Sequence, residues 1–357
     1  MTRAKGALLV GLLAAAAATC SGEAAAQTPV SIAWCARTVS SAASPFAIAT
    51  KMGWFKAADI KVDLKPLPGS TDCVKLVATH DVDYGLPSIE PVAIIRPQGV
   101  KIKNYYTAYQ GNIYGIAVPA ESPVKSFDDL KGKRIGVTSM ASAGVIVARS
   151  IAASRGWNPD KDISIVVVGE AAQTAALLRS GQVEALSQFD TNYALTENAG
   201  VKLRMLDKDN EVIARFPANG FIALEETLAT KRAQAVALAQ GYAKGTIFAM
   251  NNPEAAIRIL WEVFPQTRSP GKTEADALRD DVKTLEARAK NWRLEAGGVT
   301  RWGENSEQNY ADYVAFLVKN GVLKQSIPAT DLITNDLIAD INKFDAAAIV
   351  GQAKNYK

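Results

Sequence analysis

Short apolar runs alternate with segments of helix length between residues 30 and 190, and no other property of the chain restricts its fold as tightly. Residues 30–35, 60–64, 83–88, 101–109, 113–118, 134–137 and 185–188 read as strands, each closed by a polar or glycine-bearing loop. The run at 163–168 is continuously apolar and β-branched, as expected for a strand covered on both faces. Helices are expected at 46–52, 73–79 and 143–155, the last stopped by Gly156, and again up to Gly181. Strands and helices alternating at these lengths predict mainly parallel sheets with helices on both sides. Past Phe221 the pattern becomes helical, at 225–250, 253–264, 274–290, 307–320 and 331–341, and no strand is expected there. At 357 residues the chain is long enough for about two domains.

The most informative stretch is 122–144. Ser126 with Asp128 and Asp129 suits a helix start, Gly132 allows a reversal, and Arg134-Ile135-Gly136-Val137 is a short strand. Thr138 to Ser142 then puts small hydroxyl residues where a helix begins, a place whose free N–H groups suit an anion or an acceptor-rich ligand. Ser44-Pro45 reads as a second helix start, with Ser44 as cap. The segments Leu76 to Tyr84 and Leu177 to Ala185 echo each other at a constant offset, each preceded by Gly-Trp (Gly53-Trp54 and Gly156-Trp157) and a strand. The echo predicts two similar lobes. It also puts His80, the single histidine, where the second copy has Gly181, a left-handed position past a helix end, so His80 is expected to be structural.

The run Asp129-Leu130-Lys131-Gly132-Lys133-Arg134-Ile135-Gly136-Val137 resembles the entry into the second lobe of periplasmic solute-binding proteins of ABC importers, of the nitrate/sulfonate/taurine type. That group also holds binders of thiamine-pyrimidine precursors. The resemblance covers residues 30–206 and loosens beyond Phe221; Ser180-Gly181-Gln182-Val183-Glu184-Ala185 follows the family motif except that Glu184 replaces Asp. It implies a two-lobed (type II) periplasmic-binding-protein-like α/β fold, with lobe one at 27–117, lobe two at 118–218, and a return to lobe one at 219–357. The helical C-terminal segment would pack on lobe one, with crossings near 116–118 and 216–220 as the hinge.

The N-terminus fits export. Arg3 and Lys5 precede an apolar run at 7–18 and Ala24-Ala25-Ala26, which reads as a signal peptide (1–26) cleaved before Gln27 and too short to span a bilayer. Cys20 offers a lipoprotein alternative, but Ala17-Ala18-Thr19 is a poor lipobox. A net charge of +4, with no basic stripe interleaved with aromatics, excludes nucleic acid as an expected partner. The mature chain keeps two cysteines, Cys35 after the first strand and Cys73 at the helix after the second. Adjacent strands would bring them together, so a disulfide is expected; the alternative is two unpaired small hydrophobes.

In open α/β sheets ligands sit beyond the carboxyl ends of the strands. This selects Arg37, Ser40, Ser41, Ser44, Thr71, Ser88 and Glu90 from the first lobe, Ser139, Ser142, Glu170, Asp190 and Asn192 from the second, and Asn219 by the hinge. Arg37 beside hydroxyl loops favours a small organic anion such as a sulfonate or carboxylate. Glu90 and Asp190 favour a donor-bearing ring, on which Trp34 and Phe46 could stack. The expected function is ligand capture by hinge closure and delivery to an ABC permease, by a monomer without cofactor or metal. The alternatives are a binder of a heterocyclic or aromatic compound, or an extracytoplasmic sensor subunit. An enzyme is not expected: one histidine, no Cys/His cluster, no phosphate-binding Gly-rich loop, and neither the cysteine-rich motif nor the histidine of the pyrimidine synthases of related fold.

Overall fold

The computed structural model describes residue 2 and residues 27–357, so the expected leader and its Cys20 lie outside the described residues. The first lobe begins β1 (Thr28–Trp34), α1 (Ser44–Lys51), α2 (Trp54–Ala57), β2 (Ile60–Pro66), α3 (Ser70–Ala78), β3 (Tyr84–Gly85), α4 (Glu90–Ile95) and β4 (Ile102–Thr107). The chain then crosses into β5 (Tyr114–Pro119), β6 (Arg134–Val137), α5 (Ala143–Ser154), β7 (Ser164–Val167), α6 (Ala171–Arg179), β8 (Ala185–Phe189), α7 (Asp190–Asn198), β9 (Leu203–Met205) and α8 (Asp207–Ala214). It returns through β10 (Gly220–Leu224), α9 (Glu225–Thr230), α10 (Arg232–Asn251), α11 (Pro253–Val263), α12 (Glu274–Ala289), α13 (Glu307–Lys319), α14 (Ala329–Leu332), α15 (Ile338–Ile341) and α16 (Ala346–Asn355).

Two five-stranded sheets result, ordered β2-β1-β3-β10-β4 and β7-β6-β8-β5-β9. In each, three parallel strands adjoin one antiparallel strand that arrives from the other lobe: β10 beside β3, and β5 beside β8. The internal echo is thus a repeated topology. Its backbone detail also matches: His80 and Gly181 have φ of 61° and 64°, and Gly53 and Gly156 have 73° and 74°. His80 has the left-handed helix-end geometry expected of it.

Several expectations change. β10 is not among the expected strands, because five apolar residues, four of them buried, that run straight into helix α9 carry too short a period to show as a strand. The first crossing occupies residues 108–113 rather than 116–118, since Ile116 and Val118 are fully buried inside β5, paired with β8 and β9. The second crossing lies between α8 and β10. The apolar run at 163–168 does form β7, but as an edge strand paired only with β6, with Val167 47% exposed. Ser44 is not a helix cap: the turn Ser41–Ala43 leads straight into α1, and the Ser44 hydroxyl donates back to the Ser41 carbonyl at 2.7 Å.

The C-terminal helices close the core of lobe one. Tyr242 of α10 meets Phe46 of α1 at 4.9 Å and Phe221 of β10 at 5.1 Å between ring centroids. Such aromatic contacts add stabilisation beyond the area they bury. On the other face of the sheet, Tyr313 of α13 stacks on Phe216 at 4.5 Å. Both packings anchor the second crossing to lobe one.

Candidate functional site

The strand ends of the two lobes face each other across a cleft, and in this structure the cleft is shut. Ser139 Oγ in lobe two donates to the Pro68 carbonyl in lobe one at 2.7 Å, and the Thr71 N–H donates to the Ala141 carbonyl at 3.2 Å. Gly69 makes this approach possible, because a Cβ there would stand 2.4 Å from the Ala141 oxygen. Farther along, Glu170 of lobe two accepts from the Arg37 N–H at 3.3 Å and from the Thr38 hydroxyl at 2.6 Å.

Behind these contacts lies a narrow cavity of about 30 Å³, walled by Trp34, Tyr109, Tyr114 and Phe189 with Asn219 and Arg288. An organic ring enters such a space only when the walls move apart. Cys35 is part of the wall and is joined to Cys73 of α3, with Cα atoms 5.8 Å apart, so the expected disulfide is present and ties the end of β1 to that helix. Asn219 is held by its amide donating to the Leu86 carbonyl at 2.8 Å, and the Tyr114 hydroxyl donates to its oxygen at 3.3 Å.

Arg288 is the one charged side chain in the wall. It comes from α12, on the buried stripe formed by Ala277, Asp281, Thr284 and Leu285. Its guanidinium lies 4.0 Å above the Tyr109 ring and grips Asp190 of α7 through Nε at 2.8 Å and Nη2 at 2.6 Å. Asn291 donates to the same carboxylate at 2.9 Å. The Arg288 and Asp190 side chains are only 3% and 11% exposed. Burial opposes the charge on Arg288, but the Asp190 carboxylate together with Tyr109 and Tyr242 holds the guanidinium above its ordinary pKa. The pair links α12 of the C-terminal segment to lobe two.

Of the predicted site residues, the cavity wall contains Asn219 and Cys35, with Ser40 and Trp34 beside them. Arg37 is exposed, and its backbone rather than its guanidinium makes the interlobe bond. Ser41 and Ser44 are buried in the turn entering α1. Thr71 and Ser139 serve the interlobe contact, and Ser142 caps α5 by accepting from the Gly144 N–H at 3.2 Å. Glu90 is buried, and Tyr313 donates to it; burial pushes its carboxyl up, only partly opposed by that hydrogen bond. Ser88 is buried beside it, its N–H held by the Ser70 hydroxyl at 3.1 Å. Asn192 is buried in the first turn of α7, while its neighbour Thr191 reaches the cavity. Phe46 packs in the core of lobe one rather than in the cavity. His80 is remote from the cavity, exposed, with Nδ1 3.5 Å from Glu226. Sequence reasoning missed Tyr109, Tyr114, Phe189 and above all Arg288. A cation placed four residues after Thr284 on the apolar stripe of α12 was the signal available.

Two mixed α/β lobes joined by two crossings, with strand ends facing one cleft, define the fold of the solute-binding proteins of ABC importers. Residues 41–256 match the family model described as NMT1/THI5 like, and the chain belongs to that family. It is 21% identical over 299 residues to the riboflavin-binding protein RibY of Chloroflexus aurantiacus, covering 83% of this chain and 82% of that one. It is also 21% identical over 236 residues to 4-amino-5-hydroxymethyl-2-methylpyrimidine phosphate synthase of Legionella pneumophila, covering 64% of this chain and 71% of that one. Among solved structures, the alkanesulfonate-binding protein SsuA of Xanthomonas axonopodis pv. citri, bound to MOPS, shares the fold at a TM-score of 0.62 and 17% identity, over 87% of this chain and 99% of that one.

Proposed function

We propose that the chain is an exported solute-binding protein that captures a flat, uncharged heterocyclic or aromatic compound between its lobes and delivers it to an ABC permease. One observation carries the ligand class. Four aromatic side chains line the cavity, and its single charged group, Arg288, already has a buried carboxylate as partner. Rings offer stacking faces and Asn219 offers a polar contact, while a sulfonate or carboxylate would find Arg288 engaged and Arg37 out at the surface. The names of two relatives, a riboflavin-binding protein and a pyrimidine phosphate synthase, are consistent with a flat ring. Export rests on the leader reading of residues 1–26. Binding rather than catalysis is favoured because His80 sits at an exposed helix end far from the cavity.

The test is a calorimetric screen of the mature protein with riboflavin and neutral pyrimidines against aromatic acids, alkanesulfonates, nitrate and aliphatic carboxylates. The neutral ring compounds are expected to bind, with compaction in small-angle scattering as the lobes close over them. Binding confined to aliphatic sulfonates or nitrate would overturn the ligand class.

A further inference from the structure

The buried pair at the back of the cleft is more than an ion pair. Donors from both lobes converge on one spot: Arg288 Nε and Nη2 and the Asn291 amide from the C-terminal segment, and the Thr191 N–H at 2.6 Å from the start of α7. Such a set of charged and backbone donors is what proteins use to seat a carboxylate, nitrate or sulfonate. Here the spot is filled by the chain's own Asp190 carboxylate, whose two oxygens accept all of these bonds. The guanidinium that results lines the ligand cavity with its charge already matched.

We infer that Asp190 is a resident counter-anion, a specificity-determining residue that occupies an interlobe anion seat and so keeps anionic solutes out of the cleft. The inference rests on reading the cavity as the ligand site, and adds to that reading the reason anions are refused. Removing the carboxylate uncovers the seat. Asp190→Ala leaves Arg288, Asn291 and the Thr191 N–H in place with nothing to accept from them, so a small anion supplied from solution takes the vacated position.

The experiment is chemical rescue read by thermal unfolding, with formate, acetate and nitrate as probes. Asp190→Ala is expected to melt below the wild type and to recover several degrees, saturably, as millimolar formate or nitrate is added. The wild type and the double variant Asp190→Ala/Arg288→Gln should show no saturable response. If Asp190→Ala is recovered folded only when refolded with formate present, that dependence is the same rescue. The inference is overturned if Asp190→Ala gains nothing from any of the anions, if refolding with them also fails, or if the wild type or the double variant responds equally. The probes carry no ring, so these outcomes are separate from binding of ring compounds to the wild type.

Discussion

Gly69→Ala should hold the cleft open without harming the fold. Gly69 is extended, with φ of 174°, a backbone that any residue adopts, so the substitution brings no local strain. Its only conflict is across the cleft, where the new Cβ would lie 2.4 Å from the Ala141 oxygen and 2.7 Å from the Ser142 nitrogen. Both atoms are backbone, so the lobes must separate at this edge. Separation breaks the Ser139 to Pro68 and Thr71 to Ala141 hydrogen bonds. At about 0.5–1.5 kcal/mol each, the closed state loses roughly 1–3 kcal/mol relative to the open one. Tenfold per 1.4 kcal/mol turns this into a loss of affinity of about 5- to 150-fold for a ring compound that binds the wild type. Small-angle scattering of the unliganded variant should give a larger radius of gyration, while its urea midpoint stays near the wild type's. Unchanged affinity and unchanged scattering together would refute the reasoning, and so would a matching fall in unfolding stability.

Further outcomes follow from other contacts. Reducing the Cys35–Cys73 bridge, which spans 38 positions, should cost lobe one about 4 kcal/mol in the loop-entropy account, read by urea unfolding with tryptophan fluorescence; a difference under about 1 kcal/mol would refute it. Glu90 has a folded pKa above its unfolded value, so its contribution to stability is full below the ordinary glutamate pKa and is lost as pH rises through the raised one. Glu90→Gln should therefore gain stability on the wild type between pH 5 and 8 in paired urea titrations, and a difference that stays flat with pH would count against a buried neutral acid. Trp34→Ala should weaken a bound ring at least about tenfold by calorimetry, since the side chain forms one wall of the cavity.

Much of the architecture was legible because it rests on local rules. Strand-helix alternation showed parallel units, and the offset between Leu76 and Leu177 showed that the unit occurs twice. His80 could be placed from Gly181 alone, since both must adopt left-handed backbone to end a helix. What stayed hidden depends on pairing across the chain. β10 looks like the approach to a helix until Ile222 is set beside Gly85 and Leu224 beside Ile102. The coverage of β7 could not be inferred from apolar content, which is the same for a central strand and for an edge.

The polar residues expected at the cleft are largely engaged elsewhere, for one physical reason. Loop polar residues at strand ends have backbone to satisfy first, and Ser44, Ser139, Ser142 and Thr71 are spent on turns, caps and the lobe-to-lobe contact. What remains to face the cavity are the rings of Trp34, Tyr109, Tyr114 and Phe189, with the Trp34 indole N–H also donating to the Thr38 carbonyl at 2.9 Å. Neither Arg37, expected to favour an anion, nor Asp190, expected to favour a donor-bearing ring, lines the cavity. Arg37 is a surface residue, and Asp190 answers a different arginine 98 positions away. On the proposed reading, a cleft whose charges cancel internally selects for shape and stacking, and it closes through bonds between its own lobes.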